Sequence, residues 1–460
     1  MINPNLILSE DRKTLLGIKD KTIKTIVIPS SITAIADNAF SECSALMSID
    51  IPNSITHIGN NAFEGCSSLK VIEVPDSVTF LGEAVFWGCS NLESIKFPNT
   101  IESLDFGIFY DCYSLKEVDI PNSVTWIGVC AFSGCTSLKT IDIPHSVTHI
   151  EESAFENCSS LERIIVDKDN TYYSSEEGIL YDKEKYRIIR YPEGIIYDTF
   201  SIPNYVTQIG SDVFCGNTHL HTIIIPSSVN AIDSGAFFGC TSLQTIVVDS
   251  SNMYFCAEGG VLYDKDKQRI VRYPTKIVNT SFIIPNTIKE IEACAFADCM
   301  YLQSVFIPES VNTIGRAAFW NCQSIMSINL PDTVVELGYG AFSGCSSLKQ
   351  INIPQSVMEV TYNLFKGCTS VEKIIIPHTV KIICSGAFYG CTSVREIHCS
   401  IIAPDELTIQ KYIGNESEIF GEINEESCIL YVPSGTLDKY QHHPIFSRFQ
   451  NIREQRILHA

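Results

Sequence analysis

The sequence predicts a mainly-β repeat solenoid, on three observations. Phenylalanines fall 23 residues apart, at Phe40, Phe63, Phe86, Phe109, Phe132 and Phe155, and again at Phe296, Phe319, Phe342, Phe365 and Phe388. A cysteine follows three residues after each of them, from Cys43 to Cys391. Between successive phenylalanines the same short apolar pattern returns. A fixed period in this range marks an array in which one turn cannot bury its apolar side alone and stacks on its neighbours.

One unit shows the elements in order. In residues 63–86 the apolar positions are Phe63, Cys66, Leu69, Ile72, Val74, Val78 and Leu81, and Phe86 opens the next unit. The initial spacing of three fits a tight turn or a short 3₁₀ piece on the outer side. Ile72 and Val74 lie two apart on one face of a short strand, and Pro75 ends it because proline has no amide to donate. Val78 and Leu81 bring the chain back along the other side. Units of this kind stack through a parallel ladder at about 4.8 Å per rung. The array is therefore expected to be elongated and curved, with about 17 rungs and little helix.

The stretch Leu138–Cys158, LKTIDIPHSVTHIEESAFENC, resembles the BspA-like class of leucine-rich repeat. That likeness runs from about Lys24 to Cys399, and the motif's phenylalanine occurs thirteen times, nine of them after alanine. It implies a leucine-rich-repeat array with parallel strands on the inner face. For surface members of the family it implies adhesion to host or neighbouring-cell proteins. One departure is Asn217 in the cysteine slot, where a polar group needs a partner; that turn is expected to be loosened.

Two interruptions share one form, since Phe155 to Phe214 and Phe237 to Phe296 each span 59 residues. Gly178–Pro192 and Gly260–Pro274 read as β-hairpins, apolar runs around a charged turn. The inserts occupy about 167–200 and 249–282 and are expected to project from one edge as walls. Leu6–Ile18 looks like a third, degraded copy within a cap at residues 1–22. The repeat array is assigned to 1–402, and a variant coil with a C-terminal cap to 403–460. From Cys428 the cap has a strand ending at Pro433 and then an amphipathic helical stretch carrying Tyr440, Phe446 and Phe449.

Composition excludes several classes. The net charge is −21, so nucleic acid and anionic membranes, which need basic surface, are poor partners. No run of 18 apolar residues predicts a membrane-spanning helix. The start carries no basic-then-apolar leader pattern, which leaves surface display and an intracellular location both open. Twelve of the nineteen cysteines sit in the repeat slot and read as small buried hydrophobes. The other seven lack zinc spacing. No nucleotide-binding, hydrolase or metalloprotease motif occurs. Asp167–Gly178 only superficially suggests a calcium loop, because Tyr172 and Gly178 stand where glycine and glutamate are needed. His442-His443 in the cap reads as surface. Asn279 and Asn415 head glycosylation sequons.

Recognition is therefore sought on the surface. The residue between the last two apolar positions of each strand points outward. These residues are Val27, Asp50, Glu73, Lys96, Asp119 and Asp142, then Ile165, Ile224, Val247, Phe306, Asn329, Asn352 and Ile375. Stacked carboxylates repel unless a partner neutralises them, and exposed Ile and Phe on neighbouring rungs mark interaction sites. The candidate binding residues are Ile224, Val247 and Phe306, with Asp50, Glu73, Asp119 and Asp142 as a separate steering region. A second edge, Trp87, Tyr110 and Trp320, could anchor a protein or stack on sugar rings. The sequence thus reads as a non-enzymatic, monomeric protein-binding module without cofactor or metal. An intracellular scaffold and a carbohydrate-binding surface protein are the alternatives.

Overall fold

The computed structural model describes residues 3–151, 153–411 and 418–455; the Asn415 sequon lies outside them. It is a mainly-β parallel solenoid of about 19 turns, against the 17 or so expected. The chain packs as two compact units, residues 1–197 with 203–219 and 231–240, and residues 198–202 with 220–230 and 241–460.

A regular turn has two short strands. Val71–Glu73, Ser94–Lys96 and Glu117–Val118 pair in parallel as one inner ladder of the first unit. Two-residue strands such as His57–Ile58 and Phe80–Leu81 form the outer ladder. The spacing of three after phenylalanine is a turn, with the Cys66 amide donating to the Phe63 carbonyl and the Leu69 amide to Cys66, both at 3.1 Å. Glycine after the outer strand allows close stacking. A Cβ on Gly82 would stand 2.6 Å from the Asn60 backbone nitrogen, closer than atoms can pack.

The core is a stack of rings. Phe40 lies 5.1 Å from Phe63 and 5° from parallel, and the pattern continues through Phe155 in the first unit. In the second unit Phe296, Phe319, Phe342, Phe365, Phe388 and Phe420 stack likewise. Burying each ring is worth roughly 1.5–3 kcal/mol. The cysteine slot contributes more than bulk. The Cys66 thiol donates to the Phe40 carbonyl of the preceding turn at 3.3 Å, Cys89 to Phe63 at 3.2 Å and Cys112 to Phe86 at 3.1 Å. Each thiol is thereby a second donor to a buried carbonyl that already accepts the amide of its own turn, as the Phe63 carbonyl accepts from Cys66 at 3.1 Å.

The inserts are built into the ladder and do not stand out as walls. Each is a three-stranded antiparallel unit, Tyr173–Glu176, Ile179–Asp182 and Arg187–Arg190 in the first. Its last strand pairs in parallel with Gln208–Ile209 of the next regular turn. The second insert repeats this with Arg269–Arg272 against Glu290–Ile291. Tyr191 and Tyr273 enter the ring stack, 5.3 Å from Phe214 and 5.1 Å from Phe296. Both lie one period of 23 residues before those phenylalanines, so each insert closes a turn of its own. Leu6–Leu8 and Thr14–Ile18 form the same hairpin, and Thr14–Ile18 pairs in parallel with Ala34–Ile35.

Arginine takes over where the period breaks. Arg190 is buried, and its guanidinium donates to the carbonyls of Asp212 at 2.9 Å, Phe155 at 3.1 Å and Cys215 at 3.3 Å. Phe155 is the ring residue whose carbonyl would otherwise await a thiol, and Gly194 stands in the next cysteine slot. Arg190 also pairs with buried Glu193 at 2.5 Å. Burial raises the Glu193 pKa above its ordinary value, and the guanidinium pulls it partly back. Asn217 does not loosen its turn. It is fully buried, and its amide donates to the Glu193 and Ile195 carbonyls at 3.2 Å, so a polar side chain is satisfied there.

The C-terminal stretch is not one helix. The helix covers Leu437–His442 and is followed by Pro444, which cannot continue it. A 3₁₀ turn at Phe446–Arg448 follows, and Asn451–Gln455 then adds a parallel strand to Ile429–Pro433. Tyr440, Phe446 and Phe449 are buried as expected. His443 is not a surface residue: it is buried, packs 5.0 Å from the Phe446 ring, and burial lowers its pKa.

Candidate recognition surface

The inner strands bury alternate residues and turn the others outward, which is the pleat's period of two. In the first unit Val27, Asp50, Glu73, Lys96, Asp119 and Asp142 are all exposed. Glu73 does not stand as a bare carboxylate, since Lys96 on the next rung meets it at 2.5 Å. The expected acidic stripe is thus interrupted by an ion pair, worth little at such exposure. Asp50 pairs in register with Val27, and Asp142 with Ile165.

The second unit carries most of the apolar outward positions; Val27 and Ile165 are the two on the first. Ile224 is half-buried and pairs with Val247, which is 45% exposed. Phe306, 53% exposed, lies in a separate ladder between Ile283 and Asn329. The second insert intervenes in sequence between these two ladders. Ile283, 74% exposed, belongs to the surface and was missed. Its signal was available, because it stands 23 residues before Phe306, immediately after the span assigned to the second insert.

The edge aromatics are half-buried and packed locally. Trp87 and Tyr110 lie 4.4 Å apart between ring centres. Tyr389, three periods of 23 residues after Trp320, donates its hydroxyl to Glu422 at 2.8 Å. Trp320 is likewise half-buried. Aromatic exposure is greater on another stripe, the outer strands of the first unit, which sequence reasoning passed over. There His57 stacks on Phe80 at 4.2 Å and Trp126 on His149 at 4.0 Å.

All nineteen cysteines are free thiols, and the repeat-slot thiols are buried. Burial pushes Cys345 and Cys391 up to about 12, which keeps them protonated and inert. Among the described residues no group of three or more metal-binding side chains could hold an ion. The Asp167–Gly178 segment is occupied by a structural plug. Asn170, fully buried, donates to the Pro144 and Val147 carbonyls at 2.9 Å and accepts from the Tyr172 and Tyr173 amides at 2.8 Å. Asn252 does the same in the second insert. A groove of about 180 Å³ lies between His378, Lys381, Ile401 and Leu407 in the second unit. It is smaller than the roughly 300–1,000 Å³ of small-molecule pockets. No helix among the described residues is long and apolar enough to cross a membrane.

A family model for the BspA type leucine rich repeat region matches in six copies, over residues 18–128, 104–197, 196–258 and 275–399. Among solved structures, the chain is similar to a leucine rich cell surface protein from Faecalibacterium prausnitzii. Identity is 28%, coverage is 92% of this chain and 97% of that one, and the TM-score is 0.44. A leucine-rich repeat protein from Eubacterium ventriosum is 20% identical over 84% and 77% of the two chains, TM-score 0.43. The pneumococcal vaccine antigen PcpA is 18% identical over 98% and 82%, TM-score 0.35. No curated protein sequence matches the chain.

Proposed function

The chain belongs to the BspA-type leucine-rich repeat family, and from that premise we propose that it binds another protein through the strand face of its second unit, as a surface adhesion module. The observation that carries this reading is the pair of apolar outward ladders, Ile224 with Val247 and Ile283 with Phe306. A strand face gains nothing in stability from a phenylalanine half out in water, whereas an interface gains its anchors from such residues. Asp119 and Asp142, exposed on the first unit, act as a separate steering region, because rim charges set association rate more than affinity.

The partner class is tested with the labelled chain and intact cells. Binding should vanish when the cells are first treated with protease and survive glycosidase treatment. Binding that resists protease and disappears after glycosidase would replace this reading with a carbohydrate-binding one.

A further inference from the structure

The outer stripe of the first unit holds an aromatic ladder with one rung missing. Successive turns place Ala34, His57, Phe80, Ser103, Trp126 and His149 at the same position. His57 covers one face of Phe80, at 4.2 Å and 6° from parallel. His149 covers one face of Trp126, at 4.0 Å and 21°. The remaining faces of Phe80 and Trp126 look toward the rung of Ser103, whose side chain is too short to fill it. Two rungs span about 9–10 Å, which is room for one planar group between two rings.

The backbone is open at the same place. Outer strands pair continuously up to Phe80–Leu81, and a new sheet begins at Ser103–Leu104, so no ladder hydrogen bond joins these two strands. The turns remain in register elsewhere, with the Ala84 amide donating to Phe106 at 2.8 Å and Phe86 to Ile108 at 3.0 Å. Phe80 is 46% and Trp126 41% exposed. The floor is acidic: the Ser103 hydroxyl donates to the Asp105 carboxylate at 3.0 Å, and Glu102 beside it is exposed.

We infer that the open rung between Phe80 and Trp126 seats the guanidinium of an arginine side chain from a protein partner. A guanidinium is planar, weakly hydrated and able to stack on aromatic faces, and its N–H groups suit a carboxylate. A compact ammonium fills such a slot poorly. A neutral ring would leave Asp105 and Glu102 without a counter-charge. The seat lies on the outer stripe of the first unit and does not rest on the strand-face reading of the second.

The test uses the full chain and two blocked tripeptides, acetyl-Gly-Arg-Gly-amide and acetyl-Gly-Lys-Gly-amide, at one ionic strength. The indole N–H resonance of Trp126 is followed, assigned by its loss in Trp126→Phe. The arginine peptide should shift that resonance at a concentration at least about 5-fold lower than the lysine peptide. The Trp87 and Trp320 resonances should stay unmoved. Ser103→Phe, which completes the ladder with the residue already borne one turn earlier, should abolish the shift. If that variant does not fold, Phe80→Ala removes one wall and should abolish the preference for arginine. Equal response to the two peptides, no response to either, or an arginine shift that survives both variants would overturn the inference.

Discussion

A regular turn and an insert turn reach the same geometry by different chemistry. At Phe86 the stack is closed by a ring and by a neutral thiol from the next turn, Cys112, at 3.1 Å. At Tyr191 it is closed by a ring and a buried guanidinium that serves three carbonyls and an ion-paired glutamate. The repeat is therefore better described as a rule about buried acceptors than as a rule about residues. Each turn sets a side-chain donor on buried carbonyls of the turn before it, and Cys112, Asn217 or Arg190 can serve. Inward positions are constrained by that rule. Outward positions are not, and there the two units diverge into charged and apolar strand faces.

The largest expected effect separates the two kinds of turn. Arg190→Ala removes the partner of buried Glu193 and one donor from each of three carbonyls, and should cost about 3–5 kcal/mol in denaturant unfolding. Arg272, with Thr275 at the position of Glu193 and carbonyls of Cys294 and Ala297 as acceptors, should cost less, about 1–3 kcal/mol on replacement by alanine. Equal losses would mean that the ion pair adds nothing to the clip. In a regular turn, Cys112→Val keeps the bulk and removes the donor, with an expected loss of about 1 kcal/mol. A neutral outcome would reduce the thiol to a space-filler.

The second insert carries a pH dependence of its own. Glu292 packs against the insert strand and meets Arg269 at 2.5 Å. Burial raises its pKa from the ordinary 4.5 to about 7, while Arg269 lowers it and Glu290 and Asp264 raise it further. The folded state thus holds this proton more tightly than the unfolded state. Its contribution to stability is present at acid pH and is lost as pH rises from about 4.5 through 7. Glu292→Gln should flatten the unfolding midpoint over that window, and an unchanged slope would remove Glu292 as its cause.

The period of Phe and Cys made the fold legible, because identical inward slots leave identical residues. The inserts were half legible. Their hairpins showed in the charged turns, but Tyr191 and Tyr273 were read as hairpin ends although they keep the 23-residue spacing; tyrosine hid the register that phenylalanine displayed. Asn170 and Asn252 looked like parts of a polar loop, since nothing in a sequence says that an amide will reach carbonyls 23 and 26 residues back. The outward residues were legible one by one from the pleat. Their grouping was not, because it depends on which strands the inserts separate. The last strand, Asn451–Gln455, was missed since its polar sequence carries no apolar alternation.

The reading that recognition resides on the apolar strand face is tested most directly by comparing cell binding of two folded variants with the wild type. Ile224→Ser with Phe306→Ala should weaken binding by about 1 kcal/mol or more, with most of the change in dissociation. Asp119→Asn with Asp142→Asn should change mainly the association rate and its salt dependence. Binding untouched by the apolar pair would contradict the account.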